Sequence, residues 1–181
     1  DVETVREIAA REAGAFSPFL LFIWPVAPDV LLEAARAYAQ RSAPPTPAVP
    51  PQPRNADKLR IGYISADFRE HVLTAVLPAV LENHDRSAFE VFAYSYGPDD
   101  GSAARKCIQT AVDHFVDIRA VSDDTAARRI RADGIDILVD LTGHTSDGRI
   151  HSMQPRLAAV QASWLGYFST TGLPAMDYII S

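Results

Sequence analysis

The sequence is short of cysteine, of positive charge and of long apolar runs, and each shortage removes a class of protein. A single cysteine, Cys107, excludes an internal disulfide and a cysteine-built zinc cluster, and it suits a reducing compartment. Acidic residues outnumber basic ones, 23 to 17, for a net charge of −6. No basic footprint therefore points to nucleic acid or to an anionic membrane. The longest apolar stretch, FSPFLLFIWPVAP at 16–28, is interrupted by Pro18 and Pro25 and is too short to cross a bilayer. The acidic N-terminal segment lacks the basic start of a signal peptide, so a cytoplasmic location is expected. There is no GxGxxG, no GxxxxGK[ST] and no GxSxG, and no two histidines and a carboxylate stand at metal-ligand spacing. What is present, 181 residues at 48% apolar and 22% charged, is ordinary for a globular protein with one full core and an appendage.

The chain divides into three parts. Residues 1–42 read as helical. Asp1 stands as a cap before apolar positions Val2, Val5, Ile8 and Ala9, and Pro28-Asp29 opens a second helix carrying Val30, Leu31, Ala34 and Tyr38. The apolar segment between these helices requires a partner surface. Residues 43–58 hold six prolines between Pro44 and Pro53, which remove backbone donors and make a linker or a strap. From Leu59 strand and helix patterns alternate. Strands are expected at 59–65, 89–95, 114–118, 135–141, 159–165 and 177–181, and helices at 72–83, 102–113 and 122–134. The last helix is well signalled: Ser122 as cap, Asp123 and Asp124 in the first turn, Gly134 at the end. This alternation predicts an α/β fold, a Rossmann-like, mainly parallel sheet with helices on both faces. The chain starts inside a helical pattern and stops at MDYIIS, a strand-like run with no closing element. It is therefore expected to be a piece of a longer protein.

In such sheets ligands bind beyond the carboxyl ends of the strands. Three polar or glycine-bearing loops fall there. In SADFREH, Asp67 and His71 stand four apart. The pair suits acid–base or orienting chemistry at a helix start that favours phosphate; the structural alternative is a capping aspartate and an exposed first helical residue. In LTGHTSDGR, Gly143 permits close backbone approach while His144 and Thr145 offer hydrogen bonds; the alternative is a turn capped by Thr145 or Ser146. In WLGYFSTTG, two glycines bracket aromatic and hydroxyl residues whose amides suit a sugar or phosphate oxygen; the alternative is a tight turn. His114 reads as a strand-edge residue, His84 and His151 as solvated helix-end residues, and Asp99-Asp100-Gly101 as a surface turn.

Together, LRIGYISADFREH, HDRSAFEVFAYS, IRADGIDILVDLTGHT, PRLAAVQASWLGY and MDYII resemble, in order and at similar intervals, the catalytic region of the O-GlcNAc transferase and SPINDLY-like family of glycosyltransferases. The resemblance covers 59–181; residues 1–58 look like the tail of that family's TPR region and its connector. It implies a two-lobed GT-B fold of which this is the N-terminal Rossmann-like lobe, with the second lobe absent. It implies inverting transfer of one sugar, GlcNAc from UDP-GlcNAc, to Ser or Thr hydroxyls of protein or peptide acceptors, with no cofactor and no metal. His71 matches the histidine beside the donor sugar and diphosphate, and Asp67 the aspartate that helps move the acceptor proton. Leu165, Gly166 and Tyr167 match the loop that packs on the sugar, and His144 with Thr145 the cleft rim. Three positions depart from the family pattern: Val72 in place of proline, and Phe168 and Ser169 in place of proline and glycine. They keep open another donor, GDP-fucose or UDP-glucose, a non-catalytic repeat-protein scaffold with a decayed transferase lobe, and a nucleotide-sugar epimerase of the same shape.

Overall fold

The computed structural model describes residues 3, 4, 7, 8, 17–22, 24–42, 57–145 and 148–181. Residues 3, 4, 7 and 8 are helical, and the helices α1 (Pro18–Phe22) and α2 (Pro28–Ser42) follow. Then follow β1 (Leu59–Ser65), a 3-10 turn (Val72–Ala75), α3 (Leu77–Glu82), β2 (Phe89–Ser95), α4 (Ala103–Ala111), β3 (His114–Asp117) and α5 (Asp123–Ala132). The chain continues through β4 (Ile137–Asp140), a 3-10 turn (Ile150–Met153), β5 (Val160–Trp164) and β6 (Tyr178–Ile180). Asp1, Val2, Val5 and Ala9, Ser146, and the proline-rich stretch 43–56 lie outside the described residues.

The six strands form one sheet in the order β3-β2-β1-β4-β5-β6, parallel at every junction. Successive strand residues point to opposite faces and divide the core in two. Ile61, Tyr63, Val91, Ala93 and Val139 face Leu73, Leu77 and Leu81 of the β1–β2 connection and Ile108 and Ala111 of α4. Ile64, Phe92, Tyr94 and Leu138 face Ala126, Ala127 and Ile130 of α5, with Ile150, Met153 and Leu157. The connections from β1 and β4 thus leave on opposite faces, and the crevice of a doubly wound sheet opens between the carboxyl ends of these two strands.

The expected single helix at 72–83 is two elements. Pro78 lacks the N–H that an uninterrupted helix would need, so a 3-10 turn ends at Ala75 and α3 restarts with the proline in its first turn. β5 stops at Trp164 because Leu165 turns to φ +66, the one non-glycine residue with positive φ among the described residues. The expected cap forms, with Ser122 accepting from Thr125 N–H, and Ser102 caps α4 in the same way by accepting from Arg105 N–H. Gly134 follows α5 at φ +63.

Within the apolar segment 16–28, Leu21 finds its partners in Val30, Leu31 and Ala34 of α2. α2 in turn docks on the sheet domain: Ala39 joins the α5-side core, and the Gln154 side-chain amide donates to the Ala39 carbonyl. Gly172 sits at φ +68, with the positions a Cβ would take only 2.3 Å from the Ala35 carbonyl carbon and 2.5 Å from Arg36 N. Gly172→Ala therefore adds left-handed strain to a clash with helix backbone. It is expected to cost at least about 2 kcal/mol of unfolding free energy by denaturant titration.

Candidate functional site

The crevice floor is a junction of hydroxyls. Ser65, the last residue of β1, places Oγ 3.1 Å from Thr142 Oγ1, just past β4. Ser65 Oγ accepts from Asp67 N–H at 2.9 Å, and Thr142 Oγ1 accepts from Ala66 N–H at 3.2 Å. Beneath them Asp140, fully buried at the end of β4, accepts from Gly143 N–H at 2.8 Å and Thr142 N–H at 3.3 Å. Burial pushes this carboxyl up to about 6 against the opposing pull of the two amides.

Above the floor stands the DFREH turn. Asp67 is nearly buried, and its Oδ1 lies 3.1 Å from Arg69 Nη2 but 3.9 Å from His71 Nε2. The expected Asp–His pair is therefore looser than the Asp–Arg pair, and hydrogen-bond distance is reached only by Arg69. His71 caps the 3-10 turn. Its Nδ1 accepts from Leu73 N–H at 3.3 Å, and Thr74 Oγ1 completes a capping box with the His71 backbone. A ring nitrogen that accepts cannot carry the proton, so the neutral ring is assigned the Nε2–H tautomer. That leaves the Nε2–H of the half-exposed ring unspent by the cap, 3.9 Å from the Asp67 carboxylate. Val72, next in chain, is 80% exposed.

The loop after β5 leans on the same turn. A Cβ on Gly166 would fall 1.9 Å from the Leu141 carbonyl oxygen and 3.5 Å from the Leu73 side chain. Leu165 and Trp164 pack on the cluster that contains Leu73. Tyr167 is buried, and burial pushes its phenol up to about 12. Gly143, at φ +57, leaves room for the Tyr167 ring, which a Cβ there would meet at 2.5 Å. Ser169 holds a negative φ; the left-handed positions of this loop are Leu165 and Gly172. The departure from glycine at 169 thus places no strain on the backbone, while Phe168 stands 74% exposed.

His144 has different surroundings. It is buried between Tyr38 and Tyr167, edge-on to both at 5.4 and 5.5 Å between centroids. Its Nε2 donates to the Thr171 carbonyl at 2.7 Å, and burial lowers its pKa, so it stays neutral. Thr145 Oγ1 donates to the Thr142 carbonyl. Both residues border a cavity of about 420 Å³ between α1, α2 and the β4 loop. The structure thus gathers Asp67, His71, Leu165 and Gly166 about the β1–β4 crevice, and turns His144 toward the helical segment.

Among the remaining histidines, His114 keeps its place on an edge strand, stacked on Phe92 and bonded to Glu90. His84 and His151 are half-buried rather than solvated. His84 Nε2 meets Tyr63 OH at 2.9 Å, and His151 tilts against Tyr38. Sequence reasoning passed over Asp140, whose signal is an acidic residue closing an otherwise apolar strand. It also passed over Arg105, a cation on the apolar side of a helix. Among the described residues, no group of three or more His, Cys, Asp or Glu side chains is placed to hold a metal ion.

Glycosyl transferase family 41 matches residues 45–181, which include every strand and loop just described. The chain belongs to that family. A probable UDP-N-acetylglucosamine–peptide N-acetylglucosaminyltransferase of Arabidopsis thaliana, SEC, is 35% identical over the whole chain. A UDP-N-acetylglucosamine–peptide N-acetylglucosaminyltransferase of Caenorhabditis elegans is 40% identical over 71% of it. The chain spans 20% and 11% of these two relatives. An O-GlcNAc transferase mutant from Thermobaculum terrenum has a similar structure, with a TM-score of 0.77 at 33% identity. The match covers 96% of this chain and 32% of that one. This family 41 chain therefore has the Rossmann-like α/β architecture of an O-GlcNAc transferase catalytic region.

Asp140 sets a pH signature. Its folded pKa stands above the unfolded value, so its contribution to stability is complete below about 4 and is lost as pH rises through about 6. Relative to Asp140→Asn, the wild type is expected to lose on the order of 3 kcal/mol of unfolding free energy between pH 4 and 7. Paired denaturant titrations across that range measure the difference; parallel curves would show that the carboxyl does not titrate on unfolding.

Proposed function

We propose that the complete protein containing this chain is a transferase that moves GlcNAc from UDP-GlcNAc to serine or threonine hydroxyls of protein acceptors. This chain supplies one lobe of a two-lobed GT-B cleft, and the helical segment is the end of a TPR region joined by the proline-rich linker. The observation that carries the reading is the position of Asp67 and His71 in the β1–β4 crevice of a family 41 chain. That no helix of the described residues is long and apolar enough to cross a membrane accords with work in the cytoplasm, as does one exposed thiol.

The chemistry follows from the groups present. The acceptor hydroxyl attacks the anomeric carbon from the face opposite the diphosphate, which inverts the centre. Negative charge grows on the leaving diphosphate, and the Nε2–H of neutral His71 is a donor suited to meet it. The Asp67 carboxylate, 3.1 Å from the Arg69 guanidinium, is placed to orient the acceptor hydroxyl and take its proton. The amides about Leu165, Gly166 and Tyr167 offer contacts to the sugar, and no metal or other cofactor takes part.

In the complete enzyme, His71→Ala is expected to lower the transfer rate by about 10²-fold. The check is mass-spectrometric detection of product on a peptide, with UDP-GlcNAc, UDP-glucose and GDP-fucose as parallel donors. Unchanged turnover would remove His71 from the mechanism. Preferred transfer from another donor would correct the substrate and keep the reaction class, and a free-sugar product without acceptor would replace transfer by epimerisation.

A further inference from the structure

We infer that Arg105, with Asp100 beside it, is a positioning residue for the loop that carries Asp67 and His71. The inference rests on the reading of that loop as part of the transfer site. Arg105 is 2% exposed, and a guanidinium this deep is tolerated only when its donors are met. Nη1 donates to the Phe68 carbonyl at 3.0 Å and to Ser95 Oγ at 2.9 Å. Nη2 donates to Asp117 Oδ2 at 3.2 Å, while Nε lies 3.1 Å from Asp99 Oδ1 as an ion pair without hydrogen-bond geometry. The guanidinium carbon stands 4.9 Å from the centre of the Phe115 ring, which also touches Phe68.

These partners belong to four separate pieces of chain: the loop after β1, the ends of β2 and β3, and the turn before α4. Asp99 and Asp117 alone would neutralise the charge. The bond to Phe68 does something else, since it reaches across the strand ends into the DFREH turn. Two residues further on, Glu70 N–H donates to Asp100 Oδ2 at 2.8 Å, from the same turn before α4. The DFREH turn is thus gripped on both sides of Arg69, whose guanidinium meets Asp67. The opposite, β4 side is tied at Ala66 through Thr142. Without the α4-side grip, the backbone from Phe68 to His71 would keep only the Thr74 bond to the Arg69 carbonyl and the buried Phe68 ring as anchors, and the Asp67–Arg69–His71 geometry would loosen. The planar fork of arginine serves acceptors in several directions at once, which an ammonium on a single stem does not.

Amide hydrogen exchange followed by mass spectrometry on the 181-residue chain tests the grip, with R105M, R105K and D100A. Both R105M and D100A are expected to raise exchange across 68–74 at least tenfold relative to β1 and β4, and R105K is expected not to restore it. In transfer assays on the complete enzyme, R105M is expected to lower kcat ten- to hundred-fold while the KM for the peptide stays within twofold. Asp100 is exposed, so D100A folds and keeps the test decisive even if R105M does not. Unchanged exchange across 68–74 in D100A and R105K, or a rise spread evenly over the sheet, would overturn the inference. Should the wild-type complete enzyme transfer no sugar, the functional reading fails while the exchange measurement still judges the grip.

Discussion

The contact between Ser65 and Thr142 is the constraint on which the upper half of the molecule depends. Because the connections from β1 and β4 leave on opposite faces, the chain at this point has no helix to cover the strand ends. The amides of Ala66, Asp67, Thr142 and Gly143 would be left without partners in a region too buried for free exchange with water. Two hydroxyls and the Asp140 carboxylate satisfy all four. Each bond contributes only about 1 kcal/mol net, but a buried amide left unmet costs about 1–3 kcal/mol. The floor therefore resists distortion more than its individual bonds suggest, and both loops above it inherit a defined starting direction.

From that floor two histidines rise with the same tautomer and opposite duties. His71 spends its Nδ1 on a cap and keeps an Nε2–H beside the Asp67 carboxylate. His144 spends its Nε2 on the Thr171 carbonyl and keeps its ring in the packed interior between Tyr38 and Tyr167. One imidazole keeps a donor that its cap does not use; the other fastens the β4 loop to the β5 loop and to α2. Ser17 Oγ adds a further tie by donating to the His144 carbonyl.

Much of the fold was legible because period-2 apolar runs and serine caps are local signals. LRIGYIS, FEVFAYS and SDDTAARRIRADG announced their own limits to within a residue or two. The parallel order followed from alternation, and the convergence of three loops followed from the order. What escaped was set by contacts distant in sequence. Pro78 is the exception, a local signal for the split helix that the continuous apolar spacing masked. Whether His71 pairs with Asp67 or caps a turn depends on rotamers that spacing four does not determine. Arg105 is three residues past a helix cap in sequence but within 3 Å of Ser95 in space. That Tyr38 packs edge-on against His144 was equally hidden, because α2 lies more than a hundred residues upstream.

Gly172 carries a consequence for how this polypeptide can be dissected. The proline-rich stretch invites a cut between helical segment and sheet domain, yet α2 lies directly on the loop that runs from β5 to β6, backbone against backbone. Severing the chain there would uncover the Ala39 contact and the Tyr38 face of His144, leaving apolar and imidazole surface open to water. A durable excision keeps α2 and the sheet domain together, because the helix is part of that domain's cover rather than a separate body beyond the prolines.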